Sequence, residues 1–420
     1  MTTVSTATTV PAHSTRQRPA EPSYELLAAR FRPLFTSIAA GASARERDHE
    51  LPFAAIAELA AAGFGALRVP VADGGFGASL PQLFRLLTEL AAADSNIAQA
   101  LRGHFAFVED RLVSTGEQRA VWLDRFAAGQ LVGNSWTEVG AVAVGEVRTT
   151  VSPDADGTLR VTGTKYYSTG SIFADWIDTY ARRSDTGEVV IAVVAARQPG
   201  VAHADDWDGF GQRTTGSGTC TFAGAIVQPE HLIDFGTRFP YQTAFYQDVL
   251  LAVLAGSVVA AEREITREVH DRRRVFSHGN TDSFRSDPQI LQVVGQVSAQ
   301  AYAAEATLER AARALQDAHD AVAAGDEAEA QRRTDLAEFE AAQAQVVITG
   351  LATRATSDIF DALGASGVST TRNLDRHWRN ARTAASHNPW VYKARMVGDY
   401  RVNGAAPARA WAVGAERPTA

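Results

Sequence analysis

A stretch of short β-type runs, from about Leu131 to Ile233, lies between two long helical regions and limits the folds open to this chain. Within it, the segments VRTTV and TLRVTGTKYY flank the turn sequence DADG, and IDTYARR and VVIAVVAAR flank the turn sequence DTG. Short β-type runs joined by Asp–Gly turns are typical of antiparallel hairpins. The sequence therefore predicts a middle domain of antiparallel strands, a small barrel or sandwich, over residues 131–238.

Helical patterns occupy both flanks of this middle domain. Residues 23–130 predict an N-terminal helical domain, in which four leucines follow the i, i+3, i+4, i+7 spacing of an amphipathic helix: Leu83, Leu86, Leu87 and Leu90. Residues 239–420 predict a C-terminal four-helix bundle, with long helical segments at about 241–276, 288–322, 336–363 and 389–400. Residues 1–22 are rich in Ser, Thr and Pro and predict a disordered tail. The fold class that follows is α+β, in the order helical, β, helical.

Charge and composition exclude several classes of protein. The 40 basic and 48 acidic residues give a net charge of −8, which disfavours a nucleic-acid partner. The single cysteine, Cys220, excludes a disulfide framework and a cysteine-based zinc site, and the histidines lack the H-E-x-x-H pattern of a zinc enzyme. No apolar run reaches the roughly 20 residues that cross a bilayer, and the N-terminus lacks a signal segment. We therefore expect a cytoplasmic protein with no membrane partner and no metal.

Several strings, taken in order, resemble the acyl-CoA dehydrogenase superfamily. They are LAAAGFGALRVPVADGGFGAS in the first helical region, GNSWTEVGA at 133–141, GTKYYSTG at 163–170 and GQRTTGSGTCTFAGAIVQPEHL at the end of the β region. The resemblance extends from residue 24 to about residue 404. It implies an acyl-CoA dehydrogenase-like fold in which a flavin lies between the β domain and the bundle.

The chain departs from the dehydrogenases where their catalytic base is expected. The string RNAR at 379–382 is followed by TAASHNPW, which contains no carboxylate, and GASG at 364–367 replaces the expected Gly-Gly string. Removal of a proton next to a thioester carbonyl needs a base. In contrast, DDW at 205–207 with Gly211 and Arg213, the string DRHWRNARTAASHNPWVYK and the string LRGHFAF all resemble the superfamily's flavin-dependent monooxygenase branch.

This second resemblance implies an enzyme of a defined reaction class. Such enzymes take reduced FMN from a separate NAD(P)H-dependent flavin reductase, bind O2 at flavin C4a as a hydroperoxide and oxygenate a small substrate. A small organosulfur compound is the expected substrate, with an N-hydroxylase or an aromatic hydroxylase as alternatives. An FAD-dependent acyl-CoA dehydrogenase with a relocated base, or a flavin-binding scaffold without activity, also stays open. The superfamily and the Ala-rich helices suggest a homotetramer.

The resemblance also assigns roles to individual residues, each with a plainer alternative. His387 would hydrogen-bond the flavin peroxide or give it a proton, because imidazole titrates near neutrality, and otherwise it is a surface residue at a helix start. Thr169 would face flavin N5, or else only favour a strand. His104 would lie in the substrate pocket and take part in catalysis, although a histidine on an apolar helix face is often a core residue.

The remaining candidates would contact the cofactor or line the substrate pocket. Asn134 and Thr137 would bond the flavin edge, and the alternative for both is turn chemistry. Arg273 and Arg382 would bind flavin phosphate, or else belong to a solvated basic run and a link between helices. Trp136 and Trp207 would wall the flavin or the substrate, and simple core burial is their alternative.

Overall fold

The computed structural model of the chain describes residues 22–138 and 146–407. Most of the predicted disordered tail, residues 1–21, lies outside the described residues. The first part of the chain forms six helices: α1 (Tyr24–Asp48), α2 (Phe53–Ala61), α3 (Leu80–Ala93), α4 (Ser95–Ala100), α5 (Arg102–Val113) and α6 (Glu117–Ala127). Helix α3 begins with a reciprocal cap between Ser79 and Gln82, and all four leucines of the predicted amphipathic pattern are buried.

The middle part of the chain forms one eight-stranded sheet. Its strands are β1 (Val132–Ser135), β2 (Thr150–Pro153), β3 (Leu159–Lys165), β4 (Trp176–Arg183), β5 (Val189–Ala195), β6 (Val201–His203), β7 (Cys220–Ile226) and β8 (Leu232–Asp234). The spatial order is β6-β7-β3-β2-β4-β5-β8, and β1 pairs with β4 outside this path. The predicted hairpins are present as β2–β3 and β4–β5.

Two strand pairings are parallel, which the prediction of a wholly antiparallel domain missed. Strand β5 occupies one edge of β4, and the other edge pairs in parallel with β1 at residues 176–179 and with the end of β2 at residues 182–183. The turn sequences between neighbouring runs indicate hairpins only, whereas both parallel pairs join strands that are distant in the sequence. The pairing of β1 with β4 matters most. Strand β1 directly follows the N-terminal helices, and this pairing holds it against the centre of the sheet.

The last part of the chain is the predicted helical bundle. It consists of α7 (Gln242–Asp271), α8 (Pro288–Ala324), α9 (Glu327–Leu363), α10 (Asp375–Ala385) and α11 (Trp390–Asn403). Helix α7 is apolar and long enough to cross a membrane, but 94% of its most apolar window is buried inside the protein. It is therefore the central helix of the bundle core, where it packs against α3, α8, α9 and α10. The order helical, sheet, helical is confirmed.

A buried arginine joins the three parts of the chain. Arg238 lies between the sheet and α7, and its guanidinium contacts Asp178 on β4 at 3.0 Å and Asp110 on α5 at 3.6 Å. All three side chains are completely buried. Burial alone would lower the pKa of Arg238, but the two carboxylates outweigh this and raise it, so the guanidinium stays charged.

Further hydrogen bonds complete this Arg238 clamp. The Trp136 indole N–H donates to Asp178 Oδ1 at 2.7 Å, and the Phe239 backbone N–H donates to Asp110 Oδ1 at 3.1 Å. One helix, one strand and the start of the bundle are thus held by a single connected group of charges. Buried carboxylates without their cation would be costly, so the three parts depend on one another.

Replacement of Arg238 by Met should destabilise the protein by about 3–5 kcal/mol, because the buried Asp178 carboxylate would lose its cation, whereas Asp110 keeps its ion pair with Arg111. Urea unfolding followed by circular dichroism would measure this change. The matched control is Arg313→Met, which removes an arginine that is paired with Glu309 on the exposed surface of α8. We expect a change below about 1 kcal/mol for the control. Equal effects of the two substitutions would contradict the role of the clamp.

Candidate active site at the junction of the three parts

Three backbone segments meet beside strand β1: the loop 168–171, the end of α4 and the start of α5. The loop 168–171 lies so close to the end of α4 that a Cβ atom at Gly170 would collide with the Ala100 carbonyl oxygen. Gly170 also has a positive φ of 78°, which glycine adopts without strain. The Ser171 hydroxyl donates to the Asn134 carbonyl oxygen of β1 at 3.2 Å. The GTKYYSTG string therefore brings its polar loop against both β1 and the helices.

The start of α5 lies against the same strand. A Cβ atom at Gly103 would come within 2.8 Å of Asn134 Oδ1, so only a glycine lets the helix approach β1 this closely. Asn134 is 7% exposed, and its Oδ1 atom accepts no hydrogen bond from the described residues. A buried acceptor without a partner is unfavourable in an empty protein. It is suited to an N–H donor of a bound molecule.

Thr169 belongs to a chain of buried hydroxyl groups. Its Oγ1 atom lies 2.7 Å from Ser217 Oγ, and Ser217 Oγ lies 2.6 Å from Thr215 Oγ1. Thr215 in turn donates to the Gln212 carbonyl oxygen at 3.0 Å. Thr169 is therefore not a strand residue: it lies in the loop after β3, and its neighbours hold its hydroxyl in place.

On the helical side of the junction, Arg102 and His387 form a contact between distant parts of the chain. Arg102 Nη2 lies 3.1 Å from His387 Nε2, and its guanidinium carbon lies 4.9 Å from the ring centre of Tyr246 on α7. Arg102 is the first residue of α5, and His387 lies in the turn between α10 and α11. This contact joins the N-terminal helices to the bundle.

The hydrogen bond with Arg102 determines the state of His387. Arginine has no acceptor atom, so His387 Nε2 must accept, and the neutral ring carries its proton on Nδ1. The surrounding protein and the positive charge of Arg102 lower the pKa of His387 to about 3, although the ring keeps exposed surface. His387 is an exposed residue in the turn before α11, as the plainer alternative predicted, and its role towards a flavin peroxide stays a prediction. His387 is a neutral hydrogen-bonding group at physiological pH.

The structure contradicts the prediction for His104. Its side chain is 1% exposed, Nε2 lies 2.9 Å from the Gly65 carbonyl oxygen, and Nδ1 accepts from the Val132 backbone N–H at 3.2 Å. Both ring nitrogens are thus used by backbone groups, and the ring packs against Phe105 and Phe126. His104 joins α5 to β1 as a core residue, and it has no nitrogen left for substrate or catalysis.

The tryptophans and Thr137 lie at the edges of the junction. Trp136 belongs to the clamp through Asp178, and its ring contacts Tyr246 at a centre distance of 5.6 Å. Trp207 donates to the Gly211 carbonyl oxygen at 3.1 Å, and its ring contacts Tyr167, which has a positive φ of 60°. Thr137 is exposed, and its carbonyl oxygen accepts from the Tyr166 backbone N–H. These positions leave pocket roles for Trp136 and Trp207 as predictions.

The two arginines predicted for flavin phosphate are not brought to the junction by any contact. Arg273 lies after the end of α7, and Arg382 lies on the solvent side of α10; both are exposed. Their phosphate-binding roles stay predictions. Sequence reasoning did not single out Arg102, Ser217 or Tyr246. Arg102 stands inside the LRGHFAF string, but the neighbouring histidine drew the prediction, because histidine is the more common catalytic residue.

A cleft of about 580 Å³ lies elsewhere, between α1, α3, α7 and α10. Much of its charged lining is already paired within the protein, as Arg32–Glu89, Arg45–Asp94, Arg376–Glu264 and Arg379–Glu46. Because these charged groups form ion pairs with one another, we interpret the cleft as a polar gap between packed helices. In the described parts of the chain, no cluster of three His, Cys, Asp or Glu residues could hold a metal ion.

The pKa of His104 gives a pH-dependent test of its assignment as a core residue. Burial lowers this pKa to about 4, so between pH 6.5 and 4 the unfolded chain takes up a proton that the folded chain refuses. The stability that His104 contributes is complete above pH 6.5 and should fall by about 2 kcal/mol by pH 5. Urea unfolding at both pH values would show it. His104→Gln keeps an N–H donor and should lose less stability on acidification; equal losses would contradict the assignment.

Comparisons with known proteins agree with this architecture. The family model of the acyl-CoA dehydrogenase N-terminal domain matches residues 24–130, and that of the C-terminal domain matches residues 251–390. The probable FMNH2-dependent monooxygenase SfnC of Pseudomonas putida is 29% identical over 365 residues, which are 82% of this chain and 87% of that protein.

Two solved structures share the fold over nearly the whole chain. FMN-bound TdsC, a dibenzothiophene monooxygenase from Paenibacillus sp. A11-2, has a TM-score of 0.82 at 27% identity and covers 91% of this chain and 98% of its own. The methanesulfinate monooxygenase MsuC from Pseudomonas fluorescens has a TM-score of 0.82 at 25% identity, with the same coverage of 91% and 98%. The chain therefore belongs to the acyl-CoA dehydrogenase superfamily, within its flavin-dependent monooxygenase branch, and is an enzyme of the oxidoreductase class.

Proposed function

We propose that this enzyme uses reduced FMN and O2 to transfer one oxygen atom to the sulfur atom of a small organosulfur compound. The observation that carries the proposal is the neutral His387 held by Arg102 at the junction. The related proteins TdsC, MsuC and SfnC are named for monooxygenation, and the first two are named for a sulfur substrate.

The residues at the junction fit a flavin ring. The pyrimidine edge of a flavin has N–H donors and carbonyl acceptors. Asn134 Oδ1 is a buried acceptor without a partner, and the Thr169 hydroxyl is held by Ser217 beside the same strand. Asn134, Thr169 and the loop 168–171 would hold the ring against the sheet. Reduced FMN, when bound, supplies the two electrons that activate O2.

The neutral state of His387 argues against the dehydrogenase alternative. A group with a pKa of about 3 is too weak a base to remove a carbon-bound proton at neutral pH. Since Nε2 faces Arg102, the donor left is Nδ1–H, which has the Asn388 side chain as its partner and would turn from it to an oxygen atom of a bound molecule. His387 therefore suits a reaction in which a developing charge on oxygen is stabilised, and in which water is kept from the reacting atoms.

A relocated base would have to be found on another helix, and Asp248 on α7 is the candidate. It follows Gln247, which accepts a hydrogen bond from Asn388 at 3.0 Å, next to His387. Both carboxylate oxygens of Asp248 are buried without a partner among the described residues. Burial, and then the charge of Glu338, raise its pKa well above the usual range. A protonated carboxyl group cannot accept the substrate proton, which leaves the oxygenase as the better explanation.

The partners follow from this reaction as proposals. Because reduced FMN reacts with O2 in solution, an NAD(P)H-dependent flavin reductase would supply it. The outer faces of α8 and α9 expose the apolar residues Leu291, Tyr302, Leu336 and Val347. Packing of these faces against other copies of the chain supports the proposed homotetramer. The cytoplasmic location stays a prediction.

Purified protein, FMN, NADH, a flavin reductase and ¹⁸O2 should convert an organosulfur compound to a product that carries one ¹⁸O atom, as read by mass spectrometry. His387→Gln should lower the ratio of product to consumed NADH and raise H2O2 release. In the unsubstituted enzyme, the ratio of product to consumed NADH should not change with pH near 6.5, because His387 stays neutral there. The matched control is His231→Gln, which alters a second histidine that contacts an arginine, Arg125, at 3.2 Å.

Two results would contradict the proposal. The first is the absence of ¹⁸O from every sulfur compound tested, together with bleaching of bound FAD by an acyl-CoA, which would establish the dehydrogenase. The second is an equal loss of coupling in the His387 and His231 variants, which would remove His387 from the reaction.

A further inference from the structure

Arg102 is a buried cation without a carboxylate partner. It is 8% exposed, and in the described ranges 22–138 and 146–407 no Asp or Glu forms an ion pair with it. Its Nε–H has no acceptor, and its one hydrogen bond goes to a neutral imidazole, that of His387. Burial lowers the pKa of Arg102 for this reason, yet a guanidinium keeps its charge in proteins. The protein therefore buries an uncompensated positive charge at the junction.

The other buried arginines of the fold show that this is an exception. Arg238 lies between two carboxylates, and Arg68 pairs with Glu109 at 3.1 Å. Burial of an ion without its counter-ion costs several kcal/mol, and a bound anion removes that cost. The surroundings of Arg102 thus favour a ligand with a negative charge.

The surroundings of Arg102 also indicate which bound molecule, the flavin or the substrate, carries the negative charge. The flavin side of the junction is formed by β1 and by loop 168–171 on the sheet. Arg102 instead contacts Tyr246 and His387, which belong to the bundle. The Tyr246 hydroxyl is buried without a partner as well, and it supplies a second polar group on this side. The anion therefore belongs to the molecule that lies between the flavin site and the bundle.

We propose that Arg102, with His387 and Tyr246 beside it, binds the charged group of an anionic organosulfur substrate and selects it over neutral sulfur compounds. This inference rests on the proposed function. A substrate that is both anionic and oxidisable must keep a lone pair on sulfur, which a sulfinate does and a sulfonate does not. Small alkanesulfinates meet both conditions, and they are the class that we test.

The reaction of a sulfinate balances with the components already named. The sulfur lone pair forms a new S–O bond, the O–O bond breaks, and the second oxygen atom leaves as water. Two electrons and two protons are supplied by the reduced flavin, which is released oxidised. The product is the sulfonate, whose charge is unchanged, so the role of Arg102 is recognition and positioning of the substrate anion.

The test is a binding measurement without turnover, on enzyme loaded with oxidised FMN. Isothermal titration with methanesulfinate is compared with dimethyl sulfoxide, a neutral compound of similar size. We expect the parent to prefer the sulfinate and Arg102→Met to weaken its binding by at least about 30-fold, with dimethyl sulfoxide unaffected. Arg102→Lys should restore part of the affinity. The affinity for FMN should change by less than about 3-fold.

Arg125→Met is the matched control. Arg125 also contacts a histidine, His231, and its guanidinium also lies over aromatic rings, those of Trp122 and Trp176, but it is remote from the junction. Its replacement should leave sulfinate binding unchanged. Melting curves of all variants would show that they are folded.

The outcomes separate this inference from the proposed function. If Arg102→Met binds sulfinate like the parent, or loses FMN affinity alone, Arg102 does not hold the substrate anion. If the parent oxygenates neutral sulfur compounds but does not bind sulfinate, the anionic class is wrong and the monooxygenase stands. If the parent binds sulfinate through Arg102 but oxygenates no sulfur compound, the anion site stands and the proposed function is wrong.

Discussion

The ion pairs of Arg238 with Asp110 and Asp178 are the contacts on which the arrangement of this molecule depends. They join α5, β4 and the start of α7, which are far apart in the sequence. Asp178 also receives the Trp136 indole, so the clamp fixes the strand end from which the candidate site begins. Because all of these groups are buried, the sheet, the first helices and the bundle cannot shift separately without exposing or separating charges.

The residues that hold the fold have their charges paired within the protein, whereas residues of the candidate site do not. Arg238 has two carboxylates, and the charged groups along the 580 Å³ cleft form ion pairs with one another. Arg102 has a neutral histidine, and Asn134 Oδ1 has no hydrogen-bond donor. A protein tolerates such unsatisfied groups where a ligand completes them. By this criterion we propose the junction, rather than the cleft between the helices, as the active site.

The sequence predicted the parts of the fold that depend on local pattern. The helical spacing of the leucines of α3 and the Asp–Gly turns of the hairpins led to the right order of helices and strands. The parallel pairing of β1 with β4 was missed because it has no local signature. The short helix α10 was missed because its buried face includes the polar residues Arg376, His377 and Asn380. The two histidines show the same limit. His104 and His387 both stand in strings that resemble the superfamily. Only the structure shows that backbone groups bond both ring nitrogens of His104, and that an arginine contacts His387.

The central claim is that a flavin binds where the three parts meet. Hydrogen–deuterium exchange with and without FMN, read by mass spectrometry, tests it most directly. We expect slower exchange in peptides that cover residues 102–105, 132–136, 168–171 and 215–217, and no change around the 580 Å³ cleft. Protection confined to residues 89–96 and 257–267, which line that cleft, would contradict the account.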